Sequence, residues 1–291
     1  MIRQFIFDGL VTGCCYGLMA CSLSLIRSVC GFFHLAHASL FAVGGYTVYF
    51  LTETLRMNLA LALVLGVVVS GCVGLALDVT IYRPLRARTN SSLPQFLASF
   101  GVLVVIQSLT SVLFGDGSHR LWPFNIATTK VFGVWMTRPQ LFLLSAGFLV
   151  TLLGGLIIRH SKVGLIIRAV SNDSILVSSV GGVPEKIISA TFFVSSAVAG
   201  LAGILYGFYA VLTPSGGFSP CMIALIALIV GGAGSFVGAT LGGVALGLLQ
   251  HLSAAAIATE WQDAIVFAVL IVFLICRPCG LFGSPLRQRT I

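Results

Sequence analysis

Two histidines three residues apart, His34-x-x-His37, come closest in this chain to a chemical device. On a helix, positions i and i+3 share a face, so the imidazoles could hold a metal. No carboxylate or third ligand candidate lies nearby, and an interfacial pair of structural histidines is expected, with no metal and no cofactor. The other ionisable residues in apolar stretches are Asp8, Asp78 and His251. Such residues are functional candidates by default, yet none is a carboxylate at the middle of a stretch, where a proton- or sodium-coupled carrier would need one. A phosphate-cradling loop G-x-x-x-x-G-K-[ST] is absent, because none of Lys130, Lys162 or Lys186 follows a glycine. Neither a G-x-S-x-G elbow nor an H-E-x-x-H helix occurs. The eight cysteines (14, 15, 21, 30, 72, 221, 276, 279) fall within apolar stretches or at their ends and read as small packing residues. Cys276 and Cys279 enclose Pro278 without a thioredoxin-like pattern around them.

The elements that must position these residues follow from composition. Of 291 residues, 58% are hydrophobic and 8% charged, with a mean hydropathy of +1.08. Soluble domains carry about 25% charged residues, so this is an integral membrane protein. Sixteen Lys and Arg face eight Asp and Glu. The basic residues sit between apolar runs, as loops facing an anionic leaflet would, and nucleic acid is excluded as a partner.

A span needs roughly 20 apolar residues. Candidates are 5–26, 32–51, 58–78, 93–114, 140–158, 187–212 and 261–276. An eighth run, 221–253, would be about 50 Å long as one helix, too long for a single straight pass. Gly231, Gly232, Gly234 and Ser235 interrupt it, so it should form two pieces, the first either a short span or a re-entrant half-helix. The fold expected is an all-α, polytopic transmembrane bundle of about eight to nine spans, one domain over residues 1–291. Loops 79–92 (Arg83, Arg86, Arg88) and 159–186 (Arg159, Lys162, Arg168, Lys186) and the tail (Arg277, Arg287, Arg289) should be cytoplasmic, with Arg27. Arg3, Arg56, Arg120, Lys130 and Arg138 fall outside or near the ends. The side of the N-terminus depends on whether 221–235 crosses fully.

Glycines recur every four residues at Gly9, Gly13, Gly17 and at Gly234, Gly238, Gly242, with Gly243, Gly247 and the pair Gly203, Gly207. Such faces let helix backbones approach closely in lipid. Two glycine pairs differ, Gly44-Gly45 and Gly231-Gly232, because each follows a short apolar run, and paired interrupted segments point to a transporter's midplane site. Within loop 159–186, the stretch Ser161 to Asp173 could form a short amphipathic helix, for a partner or for the membrane surface.

Several motifs, in order along the chain, resemble the permease subunits of bacterial ABC importers for branched-chain amino acids, a family that also serves urea and short amides. Gly9-Leu10, Gly13, Tyr16 and Leu18 are similar to the family's opening G-L-x-x-G-x-x-Y-A-L. Ala36-His37 with Gly45-Tyr46 resembles its N-F-A-H-G and G-A-Y elements. Tyr82-Arg83-Pro84-Leu85-Arg86 matches the Y-R-P-L-R box. Gly164, Arg168, Ala169 and Asp173 resemble its G-R-A-x-R-A coupling loop. Gly231-Gly232-Ala233-Gly234-Ser235 and Arg277-Pro278 with Gly280-Leu281-Phe282-Gly283 resemble two closing motifs. His34 stands where the family has Asn and Ala38 where it has Gly. Leu165 and Ile166 replace an Arg and a small Ala, adding bulk where an ATPase groove would receive the helix.

The resemblance implies a bacterial inner-membrane permease paired with a second, related permease, two ATP-binding cassette ATPases and a periplasmic solute-binding protein. It implies that loop 159–186 is the coupling element, with Lys162, Gly164, Arg168, Ala169 and Asp173 transmitting the ATPase movement. Gly44, Gly45, Gly231, Gly232 and Ser235 are expected to line the path, since glycine exposes backbone polar groups to a small solute. The chain itself is not expected to be an enzyme. The rival readings are a stand-alone secondary carrier or channel, and a membrane-embedded metalloenzyme built on His34, His37 and His160. The solute itself is left open.

Overall fold

The computed structural model describes residues 2–89, 91–121, 128–131, 133–255, 257–277 and 280–283. The chain folds as α1 (Ile2–Cys30), α2 (His37–Tyr49), α3 (Leu59–Leu77), α4 (Arg83–Arg88), α5 (Leu93–Phe114), a hairpin of β1 (Thr128–Val131) and β2 (Val134–Thr137), then α6 (Arg138–His160), α7 (Lys162–Asn172), α8 (Ser174–Ser179), α9 (Pro184–Tyr209), α10 (Phe218–Gly231), α11 (Phe236–Ser253) and α12 (Gln262–Cys276). Seven helices among the described residues are long and apolar enough to cross a membrane. With the shorter apolar α2 and α10 they form a multi-pass helical bundle, in keeping with the eight to nine spans expected.

Most boundaries follow local chemistry. Asn58 accepts the Ala60 amide at the start of α3, and Thr137 with Gln140 forms a reciprocal capping box at the start of α6. Ser161 caps α7, Asp173 caps α8 and Ser235 caps α11. The run 221–253 breaks at residues 232–235 into α10 and α11, as expected, with Gly232 at φ +114° and Gly234 at φ +112°. There a side chain would strain the backbone.

Three expectations need correcting. The stretch 32–51 is not interrupted at Gly44-Gly45: residues 31–36 lead in without helical structure, α2 then runs unbroken from His37 through both glycines to Tyr49, and a π-helical turn, Phe50–Thr54, extends it. The segment 79–92 is not wholly a loop. A π-helical turn, Asp78–Tyr82, joins α3 to α4, so the Y-R-P-L-R box ends a helix running to Arg88. Pro84 has no amide to continue the α ladder, and the Arg83 amide bonds the Asp78 carbonyl five residues back. The bundle is also interrupted by the hairpin, paired from Thr128↔Thr137 to Val131↔Val134.

α1 is the central helix. Apart from Asp8 and Leu10, every residue from Phe7 to Ile26 is buried, the mark of a helix enclosed on all sides. Two glycine rows interlock against it. Gly13 sits against Val244 and Gly17 against Thr240, while Gly243 and Gly247 of α11 face the Gly17 and Gly13 backbones. Gly238 and Gly242 lie on another face of α11, against Gly231 and Ala227 of α10, so α11 is wedged between α1 and α10. On the other side, α9 lies close to α2 and α3 through Gly200 and Gly203. α5, α6 and α12 carry many of the exposed apolar side chains, including Leu97, Val105, Phe148, Leu152 and Ile275.

Candidate transport core and coupling surface

The two short helices start beside each other inside the bundle. Gly217, just before α10, lies so close to the Ala38 carbonyl of α2 that a β-carbon there would overlap it. From this shared point the helices diverge. α2 runs to the end where Gly45 meets Leu212 and Tyr46 packs on Phe114 and near His119. α10 runs to the end where Leu281 and Phe282 donate amides to the Val230 and Gly231 carbonyls at 2.9 and 3.0 Å. The closing motif thus docks on the Gly231-Gly232 motif, a contact between segments about fifty residues apart.

The glycine pairs do not meet. Gly44 is pressed against the Gly200 backbone, Gly45 against the Leu212 side chain at 2.7 Å, Gly231 against the Gly238 carbonyl and Gly232 against Gly283. The face that glycine leaves bare is filled by protein at each of the four. Close packing therefore accounts for them as it does for the glycines between α1 and α11, and Ser235 spends its hydroxyl accepting the Gly238 amide at 3.0 Å. What converges is the pair of helix starts.

His34 and His37 are brought together, though not as one helix face, since His34 precedes α2. Nor are they interfacial: they are 1% and 0% exposed. Their Nδ1 atoms are 2.9 Å apart. His37 Nε2 lies 3.0 Å from Ser22 Oγ of α1 and 3.3 Å from Ser195 Oγ of α9. Ser99 of α5 accepts the Leu35 amide at 3.2 Å. These three serines were not singled out from sequence, where a lone serine in an apolar run carries no distinguishing signal. Among the described residues no three His, Cys, Asp or Glu side chains group as metal ligands would.

Below this cluster lies an ionic network that sequence reading also missed. Arg86 Nη1 donates to Asp78 Oδ1 at 2.7 Å and Arg86 Nη2 to Glu185 Oε2 at 2.9 Å. Ser189 donates to Asp78 Oδ2 at 2.6 Å, and Arg83 Nε is 3.7 Å from Glu185. Eight residues make about 2.2 turns of a regular α-helix, so a plain helix would carry Arg86 partly round from Asp78. The π turn takes up the extra residue and returns both to one face. Tyr82, fully buried, stacks on Phe192 of α9 with ring centres 5.3 Å apart. The Y-R-P-L-R box therefore fastens the end of α3–α4 to the start of α9; Pro84 lies in the first turn of α4, and Leu85 is part-buried on it.

The stretch 161–173 is helical, as expected, in α7. Gly164 and Val170 are buried and Ser171 donates to the Ser28 carbonyl of α1 at 2.8 Å. Lys162, Arg168, Ala169 and Asp173 are exposed, and Arg168 Nη2 reaches the Arg159 carbonyl at 3.3 Å. Val163, Leu165 and Ile166 of α7 are also exposed, as are Ile175, Leu176 and Val180 beyond it. A β-carbon on Gly164 would overlap the Ile158 backbone. Gly164→Ala is expected to tilt α7 off α6; faster protease cleavage within 159–186 would report it, and an unchanged digest would refute it.

Arg83, Arg86, Arg88, Arg159, Lys162, Arg168, Lys186 and Arg27 gather at one end of the bundle, joined by the contacts just described; Arg277 lies there too, bonded from Gly280 beside α10. Arg287, Arg289, Pro278 and Cys279 lie outside the described residues. At the opposite end, Gln4, Asp8, Thr12 and Tyr16 form a polar row along α1. Asp8 accepts from Gln140 at 3.3 Å, Thr12 meets His251 at 2.6 Å, and Tyr16 donates to Gln250, which donates to Asp263.

A family model described as the permease component of branched-chain amino acid transport systems matches residues 5–274. The chain is 30% identical over 296 aligned positions to the high-affinity branched-chain amino acid transport system permease protein LivH of Escherichia coli strain K12, covering 97% of this chain and 96% of that one. It is 29% identical to LivH of Salmonella typhimurium, with the same coverage. It is 28% identical to the corresponding permease protein BraD of Pseudomonas aeruginosa, over 97% of this chain and 96% of the relative. No solved structure matches.

Proposed function

The chain belongs to the family of permease components of branched-chain amino acid transport systems, and from that premise we propose that it is the membrane-spanning subunit of an ATP-driven importer of branched-chain amino acids or a related small solute. Its place is the bacterial inner membrane, beside a second permease, above two ATP-binding cassette ATPases and below a periplasmic binding protein. The observation that carries this reading is the match along nearly the whole chain to transport permeases, with an amphipathic helix, α7, exposed at the basic end. By the positive-inside rule that end is cytoplasmic, which puts the N-terminus outside.

In this scheme residues 159–186 receive the ATPase movement. Lys162, Arg168, Ala169 and Asp173 present the contact face, and Gly164 sets the angle at which α7 leaves α6. Because α8 joins α9 through the short turn 180–183, a push there reaches Glu185, then Arg86 and Asp78, and so the end of α3. The solute path runs past the paired starts of α2 and α10, two short helices that begin inside the bundle, with Gly44, Gly45, Gly231, Gly232 and Ser235 holding those helices close to their neighbours.

Arg168→Glu in the assembled transporter is expected to abolish solute uptake while the protein stays in the membrane at its normal level. Normal uptake by this variant would remove the coupling role. Vesicles containing this subunit alone should show no uptake; uptake there would favour a stand-alone carrier or channel.

A further inference from the structure

We propose that the structure binds a single buried water molecule between His34 Nε2 and Tyr82 Oη, held there by a pair of histidines of fixed and opposite tautomer. The argument begins with the serine protons. Ser22 Oγ lies 2.8 Å from the Met19 carbonyl and Ser195 Oγ 2.5 Å from the Ser22 carbonyl. Each hydroxyl has one proton, and each lies closer to its carbonyl than to His37 Nε2, at 3.0 and 3.3 Å. With both protons given to carbonyls, the serine oxygens can only accept from the ring, so His37 carries its proton on Nε2.

The rest of the chain follows. His37 Nδ1 is then an acceptor, and the 2.9 Å contact to His34 Nδ1 requires His34 to donate from that atom. His34 Nε2 is left as a bare lone pair. It is buried and has no hydrogen-bond partner among the described residues, and the same is true of the Tyr82 hydroxyl. The two rings are edge to face with centres 5.1 Å apart, and Phe32 and Phe192 each pack against both of them. Leaving both polar atoms unsatisfied would cost about 1–3 kcal/mol each. One water can donate to His34 Nε2 and accept from, or donate to, Tyr82 Oη, and buried waters characteristically occupy such sites.

The completed chain runs from Ser195 and Ser22 through His37, His34 and the water to Tyr82. It ties the lead-in of α2 to α1, α9 and the Y-R-P-L-R box at once. The assignment concerns water and tautomers alone and is independent of the solute carried.

The test is nitrogen NMR on 15N-histidine-labelled protein in lipid nanodiscs, with detection of water protons near each ring. Expected are a pyridine-type Nε2 and protonated Nδ1 at His34, the reverse at His37, and a water contact at His34 Nε2. In Tyr82→Phe, which keeps the ring stack, the water contact should be lost while the Nδ1 to Nδ1 pairing persists. A protonated His34 Nε2 in the unaltered protein would overturn the tautomer assignment. A water contact unchanged in Tyr82→Phe, or a direct tyrosine to histidine hydrogen bond with no water, would overturn the site. Should Tyr82→Phe fail to fold, Ser195→Ala serves: it must leave His34 Nε2 unprotonated, and protonation there would count against the proposal.

Discussion

Arg86→Ala should be the most damaging single charge removal at the basic end of the bundle. Its guanidinium is 12% exposed and bonds a carboxylate, Asp78, whose side chain is 0% exposed. Removing one partner of a buried pair leaves the other charge without compensation, at a cost of about 3–5 kcal/mol. Neither the hydroxyl of Ser189 nor lipid can replace the lost positive charge. Arg83→Ala provides the contrast, because Arg83 and Glu185 are 53% and 37% exposed and 3.7 Å apart. A pair of that kind is worth about 0–1 kcal/mol once solvent screening is counted. Thermal unfolding in detergent or nanodiscs should place Arg86→Ala far below Arg83→Ala. The double change Asp78→Asn with Arg86→Gln should recover part of the loss, since no lone charge remains. Equal melting of the two single variants would show that the network does not hold the end of α4 to α9.

Gly203→Ala is the second variant with a large expected effect, and it adds one carbon. That carbon would overlap the Phe41 carbonyl of α2, an atom of main chain that no rotamer change can move aside. α2 and α9 must separate, opening the contacts that Gly44 and Gly200 make nearby. Overpacking of this sort costs about 1–3 kcal/mol, and more is expected where two backbones touch. Gly101→Ala on α5 is the matched control, because a β-carbon there meets nothing within 4 Å. Helix propensity alone should make it neutral or stabilising by up to about 1 kcal/mol. Melting temperatures should therefore move in opposite directions, or at least by clearly different amounts. A loss at Gly203 no greater than at Gly101 would mean that the crossing relaxes freely.

Much of the bundle is legible in the sequence because lipid permits so few structures. An apolar run in hydrocarbon must satisfy its backbone internally, so the stretches that became α1, α3, α5, α6, α9 and α12 could be marked from residue type alone, as could the break between α10 and α11. The short helix α7 was likewise visible, as an amphipathic stretch within loop 159–186. The glycine rows showed that helices would approach closely. Which helices they would join was hidden, because Gly13 and Gly247 are neighbours only after the chain has folded back between them.

The misreadings have the same origin. A π turn is a matter of hydrogen-bond register, and nothing in Asp78-Val79-Thr80-Ile81-Tyr82 announces it before Pro84 removes a donor. Without it, Asp78 and Arg86 read as one carboxylate at a span end and one loop cation. His34 and His37 read as an interfacial pair because each was judged by its place along the chain. Ser22 and Ser195, which surround His37, come from helices far away in sequence. Gly44-Gly45 and Gly231-Gly232 were singled out because glycine exposes backbone; that glycine also admits a neighbour, as at all four positions here, is decided only by the fold.

Sequence alone determined that this protein lives in a membrane, that its helices are many and closely packed, that its charges gather in a few short segments, and that it belongs among transport permeases. The first three depend on residue type and local period, which each segment carries by itself; the last rests on the resemblance of motifs in order along the whole chain to a known family. The tertiary structure alone decided that α1 lies at the centre, that α2 and α10 start side by side, that Arg86 neutralises Asp78 and that the histidines face each other. Those are relations between distant segments, and they arise where an apolar sequence leaves partners open and shape, main-chain contact and the pairing of buried polar groups select one arrangement.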